Sequence, residues 1–212
     1  MKDTVSLLRL SEWLLIGYFT YAAVLSWLLP VEGWVAVYAW GVNLIVVVVL
    51  SSLAHVERGA GHPLWGVLRD WLPVALVVVA YKEMGWFAPD QHTYELERAW
   101  TQWDRVLLYE GRLKAALEST GPWLPALLEL SYALVYLVGP LGVAALYLYS
   151  SRRHVDQFLV ILLLGRLLSY VLYPFFPSEP PRTVFPGEDA PAINTLFRRF
   201  NWWLLGGGGI HT

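Results

Sequence analysis

The hydrophobic positions of this chain run in long, almost unbroken blocks rather than in the one-sided stripe of a water-facing helix. Crossing the apolar core of a bilayer takes about 20 helical residues. Five stretches are long and apolar enough: Trp13–Leu29, Trp34–Leu53, Trp71–Ala88, Trp123–Tyr149 and Val155–Phe176. The pattern therefore predicts an all-α, polytopic transmembrane helical bundle of about five spans, forming a single integral membrane domain over residues 1–212. Lys2 and Arg9 ahead of the first block resemble a secretory signal. No small-residue cleavage site follows, and Pro30-Val31-Glu32-Gly33 turns directly into the next block, so the first is read as a retained helix. Gly139-Pro140 inside the long fourth block predicts a tilt or kink there.

One connection breaks the pattern. Between about Pro89 and Pro122, Leu96, Trp100, Trp103, Leu107, Leu113 and Leu117 recur at roughly helical spacing, opposed by Glu97, Arg98, Arg105, Glu110 and Lys114. This is an interfacial amphipathic segment, lying in the membrane plane rather than crossing it. Gly111 is expected to divide it into two short helices. A loop helix packed on its own protein is the alternative.

Composition agrees with the pattern. Hydrophobic residues make up 57% of the chain and charged ones 15%, where soluble domains carry about 25% charged residues. Twelve Trp and twelve Tyr suit the aromatic belts at the headgroup level. A net charge of −2 without a basic run argues against nucleic acid as a partner. The absence of cysteine removes disulfides, thiolate metal sites and thiol nucleophiles.

Short loops near span ends carry the orientation signal. The first loop has no basic residue, whereas the second holds Arg58 and Arg69 and the fourth Arg152 and Arg153. This places the N-terminus in the cytoplasm and the region after the fifth span on the extracytoplasmic side, most simply of the inner, plasma membrane. Four ionisable residues fall within the spans: Lys82, Glu83, Glu129 and Arg166. Such groups cost a few kcal/mol in a membrane and usually face a partner or a wet cavity. Arg166, Tyr170 and Tyr173 share a helical face, as do Glu129, Tyr132 and Tyr136. The two stripes are candidates to line a common outward cleft. The alternative is structural pairing, Arg166 with Glu129 and Lys82 with Glu83. His55, His62 and His154 lack metal-ligand spacing, no metal site is expected, and Gly206–Gly209 is a flexible turn rather than a phosphate loop.

The stretch from Ser169 to Gly187 carries the most chemistry. An apolar helix meets a proline cluster that stops it and delivers Arg182 at the membrane edge. Arginine is the side chain best shaped to clamp a phosphate by paired hydrogen bonds. Arg182 is therefore the candidate phosphate-binding residue, with Lys82, Glu83, Glu129, Arg166, Tyr170, Tyr173 and His211 as candidates to line the cleft.

Tyr173-Pro174-Phe175-Phe176-Pro177 with Pro180-Pro181-Arg182 resembles the signature of the type-2 phosphatidate phosphatase superfamily, in its inositol phosphorylceramide synthase-like branch. Trp103 to Leu108, Glu129 to Ala133 and Asn201 to Thr212 resemble other family segments in the same order. The resemblance implies an integral membrane lipid-phosphate phosphatase or phosphotransferase. It would act on a phosphorylated lipid headgroup through a nucleophilic histidine and a second, acid–base histidine, without metal or other cofactor. Phe175 stands where the wider family has a lysine, and Thr183 where it has proline. Neither catalytic histidine has a match, so the resemblance covers the substrate-cradling portion. The chain as given is expected to lack turnover, with a sixth span and the catalytic motifs lying beyond it. Substrate lipid, hydrolysis against transfer, and oligomeric state stay open. The competing reading is a non-catalytic membrane scaffold or a small transporter subunit using the intramembrane charges.

Overall fold

A computed structural model of the chain describes residues 7–87, 95–149, 152–176 and 195–208. The described residues form helices and no strand: α1 (Leu10–Leu28), α2 (Gly33–Ala60), α3 (Pro63–Met84), α4 (Glu95–Arg105), α5 (Leu113–Ser119), α6 (Trp123–Tyr149), α7 (Val155–Leu172) and α8 (Leu196–Gly208). The all-α bundle expected from the hydrophobic blocks is borne out. Among the described residues four stretches are long and apolar enough to cross a membrane: Gly33–Ala60, Pro63–Phe87, Trp123–Tyr149 and Arg152–Leu172. The protein is an integral membrane protein.

The first expected span coincides with α1, which is shorter and is not among those four. Its position accounts for its polarity. Helix α1 packs against α2, α3 and α7 at once, so much of its surface meets protein rather than lipid and can carry Ser11, Glu12, Tyr18 and Ser26 in buried positions.

The chain divides into two compact units, one of Met1–Pro89 with Gly139–Phe175 and one of Asp90–Val138 with Phe176–His211. In the first unit Leu15, Phe19 and Ala22 of α1 pack with Val46 and Leu50 of α2, Leu76 and Ala80 of α3 and Leu163 of α7. Polar ties fix the depth of α1 within this apolar core. The Tyr18 hydroxyl donates to the Ala80 carbonyl of α3 at 3.1 Å, and that of Tyr21 to the Val171 carbonyl of α7 at 2.9 Å. A smaller cluster joins Val143 of α6 to Val155 and Leu159 of α7. There the Phe158 ring lies where any side chain on Gly142 would have to be.

The turn between α2 and α3 corrects one expected boundary. Gly61 ends α2 in the left-handed conformation, His62 caps α3 by accepting from the Leu64 amide at 3.2 Å, and Pro63 opens the helix. Helix α3 thus starts at Pro63 rather than Trp71, and Arg69, read above as a loop charge, lies buried inside it beside Asp70.

In the second unit α4 runs into a single π-helical turn, Val106–Glu110. The break falls at Gly111, whose amide donates back to the Val106 carbonyl at 2.7 Å. A Cβ there would sit 2.7 Å from the Leu107 carbonyl oxygen, so glycine is required. Arg112 follows in the left-handed region with φ 55°. The first part of α6 belongs to this unit and its last part to the other, the helix continuing through Pro140.

The second unit buries few of its described residues. Among its described residues the buried ones are Glu97, Thr101, Ala133, Thr195 and Asn201. The apolar stripe Leu96, Trp100, Trp103 and Leu107 is exposed, as are Leu196, Phe200 and Trp203 of α8. Arg98, Asp104, Arg105 and Glu110 are exposed as well, so the unit buries few side chains, most of them polar.

Candidate functional site

One end of the first unit gathers charges that sequence reading passed over. Glu12 stands at the third position of α1, where its carboxylate accepts from the Arg9 amide at 2.7 Å and lies at the positive end of the helix dipole. Its two oxygens receive the fork of Arg69, Nε at 2.5 Å and Nη2 at 2.6 Å. The third nitrogen of Arg69 reaches Glu57 of α2 at 2.7 Å, and Nη2 also meets the Leu7 carbonyl at 2.7 Å. Asp70 faces the other way. It accepts from Arg9, from the Tyr147 hydroxyl of α6 and from Arg152 Nε, the last at 2.5 Å. Arg152 Nη2 bonds Glu57 at 3.0 Å, while Ser11 donates to Asp156 of α7. The Arg152 guanidinium crosses directly over Gly66, on space that any Cβ at that position would occupy.

Glu12 and Asp70 are 0% and 1% exposed. Burying them is tolerable because every carboxylate is matched by a guanidinium. Among the described residues Arg9, Arg69, Arg152 and Arg153 stand against Glu12, Glu57, Asp70 and Asp156, so the cluster is balanced in charge. Arg9, Glu57, Asp70, Arg152, Arg153 and Asp156 line an open cavity of about 320 Å³ at this end. The cluster ties the ends of α1, α2, α3, α6 and α7 together. Its sequence signal was the recurrence of Arg and Asp/Glu at block ends, which had been credited to loops.

The cleft candidates divide between the units. Lys82, Glu83, Arg166, Tyr170 and Tyr173 belong to the first and Glu129 to the second. Lys82 is exposed, whereas Glu83 is 1% exposed with no hydrogen-bond partner for either carboxylate oxygen among the described residues. The Glu83 carboxylate thus accepts no hydrogen bond from Lys82, the pairing given above as an alternative. Neighbours on a helix point about 100° apart and do not face each other. Tyr170 packs its ring on Tyr18 and Tyr81, at centroid distances of 6.3 and 5.9 Å, and Tyr173 lies against the same core. Arg166 is half-buried on α7. Arg182 and His211 lie outside the described residues.

Glu129 has a partner that sequence reading did not single out. Asn201 of α8, 3% exposed, gives its amide nitrogen to the Glu129 main-chain carbonyl at 2.8 Å and to the carboxylate Oε2 at 2.7 Å. Two acceptors fix which way the amide faces, since a flipped Asn201 would set oxygen against oxygen. Its Oδ1 is buried without a partner among the described residues. The start of α8 is set by Thr195, whose hydroxyl accepts from the Arg198 amide at 3.1 Å. Tyr132 and Tyr136 pair with each other, hydroxyls 3.3 Å apart, on the exposed side of α6. Among the described residues no His, Asp and Glu side chains gather in the threes that a metal ion would need.

A family model described as the PAP2 superfamily matches residues 101–209, more than half of the chain. No curated protein and no solved structure matches it comparably.

Proposed function

Because the chain belongs to the PAP2 superfamily, we propose that it binds the phosphate of a membrane lipid at the extracytoplasmic face, as a lipid-phosphate phosphatase or phosphotransferase does. The observation that carries this reading is the family match over residues 101–209, a span that includes Arg182 and most of the second unit. The buried polar residues Glu97, Thr101, Thr195 and Asn201, beside the exposed apolar stripe Leu96, Trp100, Trp103 and Leu107, suit a polar headgroup held by a protein whose apolar surface meets acyl chains. The segment Tyr173 to Arg182 favours the inositol phosphorylceramide synthase-like branch within the superfamily.

In this reading Arg182 grips two phosphoryl oxygens with its planar fork, and Pro180-Pro181 limits the backbone conformations available just before it. The histidines needed for attack and proton transfer have no match in residues 1–212, so the test asks for binding. Phosphatidate added to the protein in phosphatidylcholine nanodiscs should bind saturably. Arg182→Lys should weaken binding about tenfold and Arg182→Ala further, since charged hydrogen bonds contribute about 1.5–3 kcal/mol. Wild-type affinity in Arg182→Ala would overturn the assignment.

A further inference from the structure

Helix α3 and the turn after it give one buried stripe to the first unit: Leu76, Ala80, Glu83 and Phe87, at spacings of four, three and four. Three of these are apolar, and the fourth is a carboxyl group. Glu83 is 1% exposed, and neither of its oxygens has a hydrogen-bond partner among the described residues. Toward the opposite end of α3 the equally buried Asp70 meets the guanidiniums of Arg9 and Arg152. We propose that Glu83 is a proton-binding site: the folded protein carries it as the neutral acid, and loss of that proton loosens the packing of α3 on α1 and α7.

An ionised carboxyl buried without a partner is among the costliest groups a fold can hold, and it takes up a proton instead. The backbone adds to that cost. Glu83 is the penultimate residue of α3, at the negative end of the helix dipole, where a second negative charge is unfavourable. Helix α3 packs against α1, α2 and α7. The titratable or charged groups toward this end are Tyr18 and Tyr21 of α1, Tyr38 of α2, Arg166, Tyr170 and Tyr173 of α7, and Tyr81 and Lys82 of α3 itself. The Tyr18 hydroxyl proton is spent on the Ala80 carbonyl and that of Tyr21 on the Val171 carbonyl. None of the others donates a hydrogen bond to Glu83. A proton is also the ligand that a carboxyl so enclosed can take without displacing a side chain. Glu83 belongs to the first unit and precedes the family-matched residues, so the inference stands apart from the lipid-phosphate reading.

The test uses the full chain in phosphatidylcholine nanodiscs, with the proton itself as the ligand. At neutral pH the infrared spectrum of the wild-type protein should contain a carboxylic-acid carbonyl band that Glu83→Gln lacks. Glutamine has the shape of the neutral acid, so this variant should fold and match the wild-type thermal midpoint at neutral pH. The folded wild type keeps a proton that the unfolded chain has released, so its stability falls as the pH rises. Its midpoint should therefore drop below that of Glu83→Gln toward alkaline pH, the groups common to both cancelling in the comparison. Glu83→Leu, which removes the acid outright, should follow the glutamine variant. An acid band unchanged by Glu83→Gln, or midpoints that run parallel across the pH range, would overturn the inference. So would failure of both Glu83→Gln and Glu83→Leu to fold, which would mark Glu83 as a charge that the bundle requires.

Discussion

Arg69 shows how the side-chain network controls stability at the scale of one residue. Its guanidinium holds Glu12 with two bonds and Glu57 with a third, and it is buried. Removing one partner of a buried pair leaves the other charged and uncompensated, at a cost of about 3–5 kcal/mol. Arg69→Ala should therefore lower the thermal midpoint sharply in detergent. Arg69→Lys should rescue it little, because a single ammonium cannot reproduce the fork. A midpoint within a degree or so of wild type in Arg69→Ala would contradict the network. Gly66→Ala probes the same cluster from outside. It should displace Arg152 from Asp70 and Glu57, so that Gly66→Ala and Arg152→Ala together cost no more than either alone. Additive losses would mean that the methyl group acts elsewhere. Little of this cluster was legible beforehand. Sequence shows that Arg69 and Asp70 are charged, but the partners that let them be buried come from four other helices. Asn201 was harder still, since a neutral amide in a Trp-rich helix carries no signal until its acceptor is known.

At the scale of the element, the helices were legible and their faces only partly so. Blocks of apolar residues located α6, α7 and the start of α2 closely, because a lipid-facing helix must be apolar along its membrane-crossing length, whereas α2 runs on past Leu53 to Ala60. Helix α3 was cut short by reading Arg69 as a loop residue and starting the span at Trp71. The Gly61-His62-Pro63 turn, a helix stop beside a helix start, was the better sign. The amphipathic connection was read correctly in its period and in its break at Gly111. Its apolar face is the outer one, with Trp103 74% exposed and Glu97 and Thr101 buried. If that face lies on lipid, the fluorescence of a variant keeping Trp103 as its sole tryptophan should be quenched by brominated phospholipid and little by aqueous iodide. The opposite quenching pattern would place the helix in water. Gly142 gives a packing test in the first unit. The Phe158 ring occupies the space above it, so Gly142→Val should overpack the contact of α6 with α7 and cost about 1–3 kcal/mol. An unchanged midpoint would show that the two helices do not approach closely there.

For the whole molecule, the account joins a bundle of membrane-crossing helices to membership of the PAP2 superfamily. The membrane character was legible from composition alone, and the family from ordered short segments between Trp103 and Thr212. The intramembrane charges were less legible as a group, because sequence gives their depth along a helix but not which neighbour each one meets. Glu83 has no hydrogen-bond partner among the described residues, and Glu129 meets the Asn201 amide. The central claim is that the protein takes up a lipid by its phosphate. The most direct measurement is competition binding by the wild-type protein in phosphatidylcholine nanodiscs, with labelled phosphatidate as ligand and orthovanadate as a soluble phosphate mimic. The account expects saturable retention of phosphatidate over diacylglycerol of the same acyl chains, displaced by vanadate. Equal retention of phosphatidate and diacylglycerol, unaffected by vanadate, would contradict it.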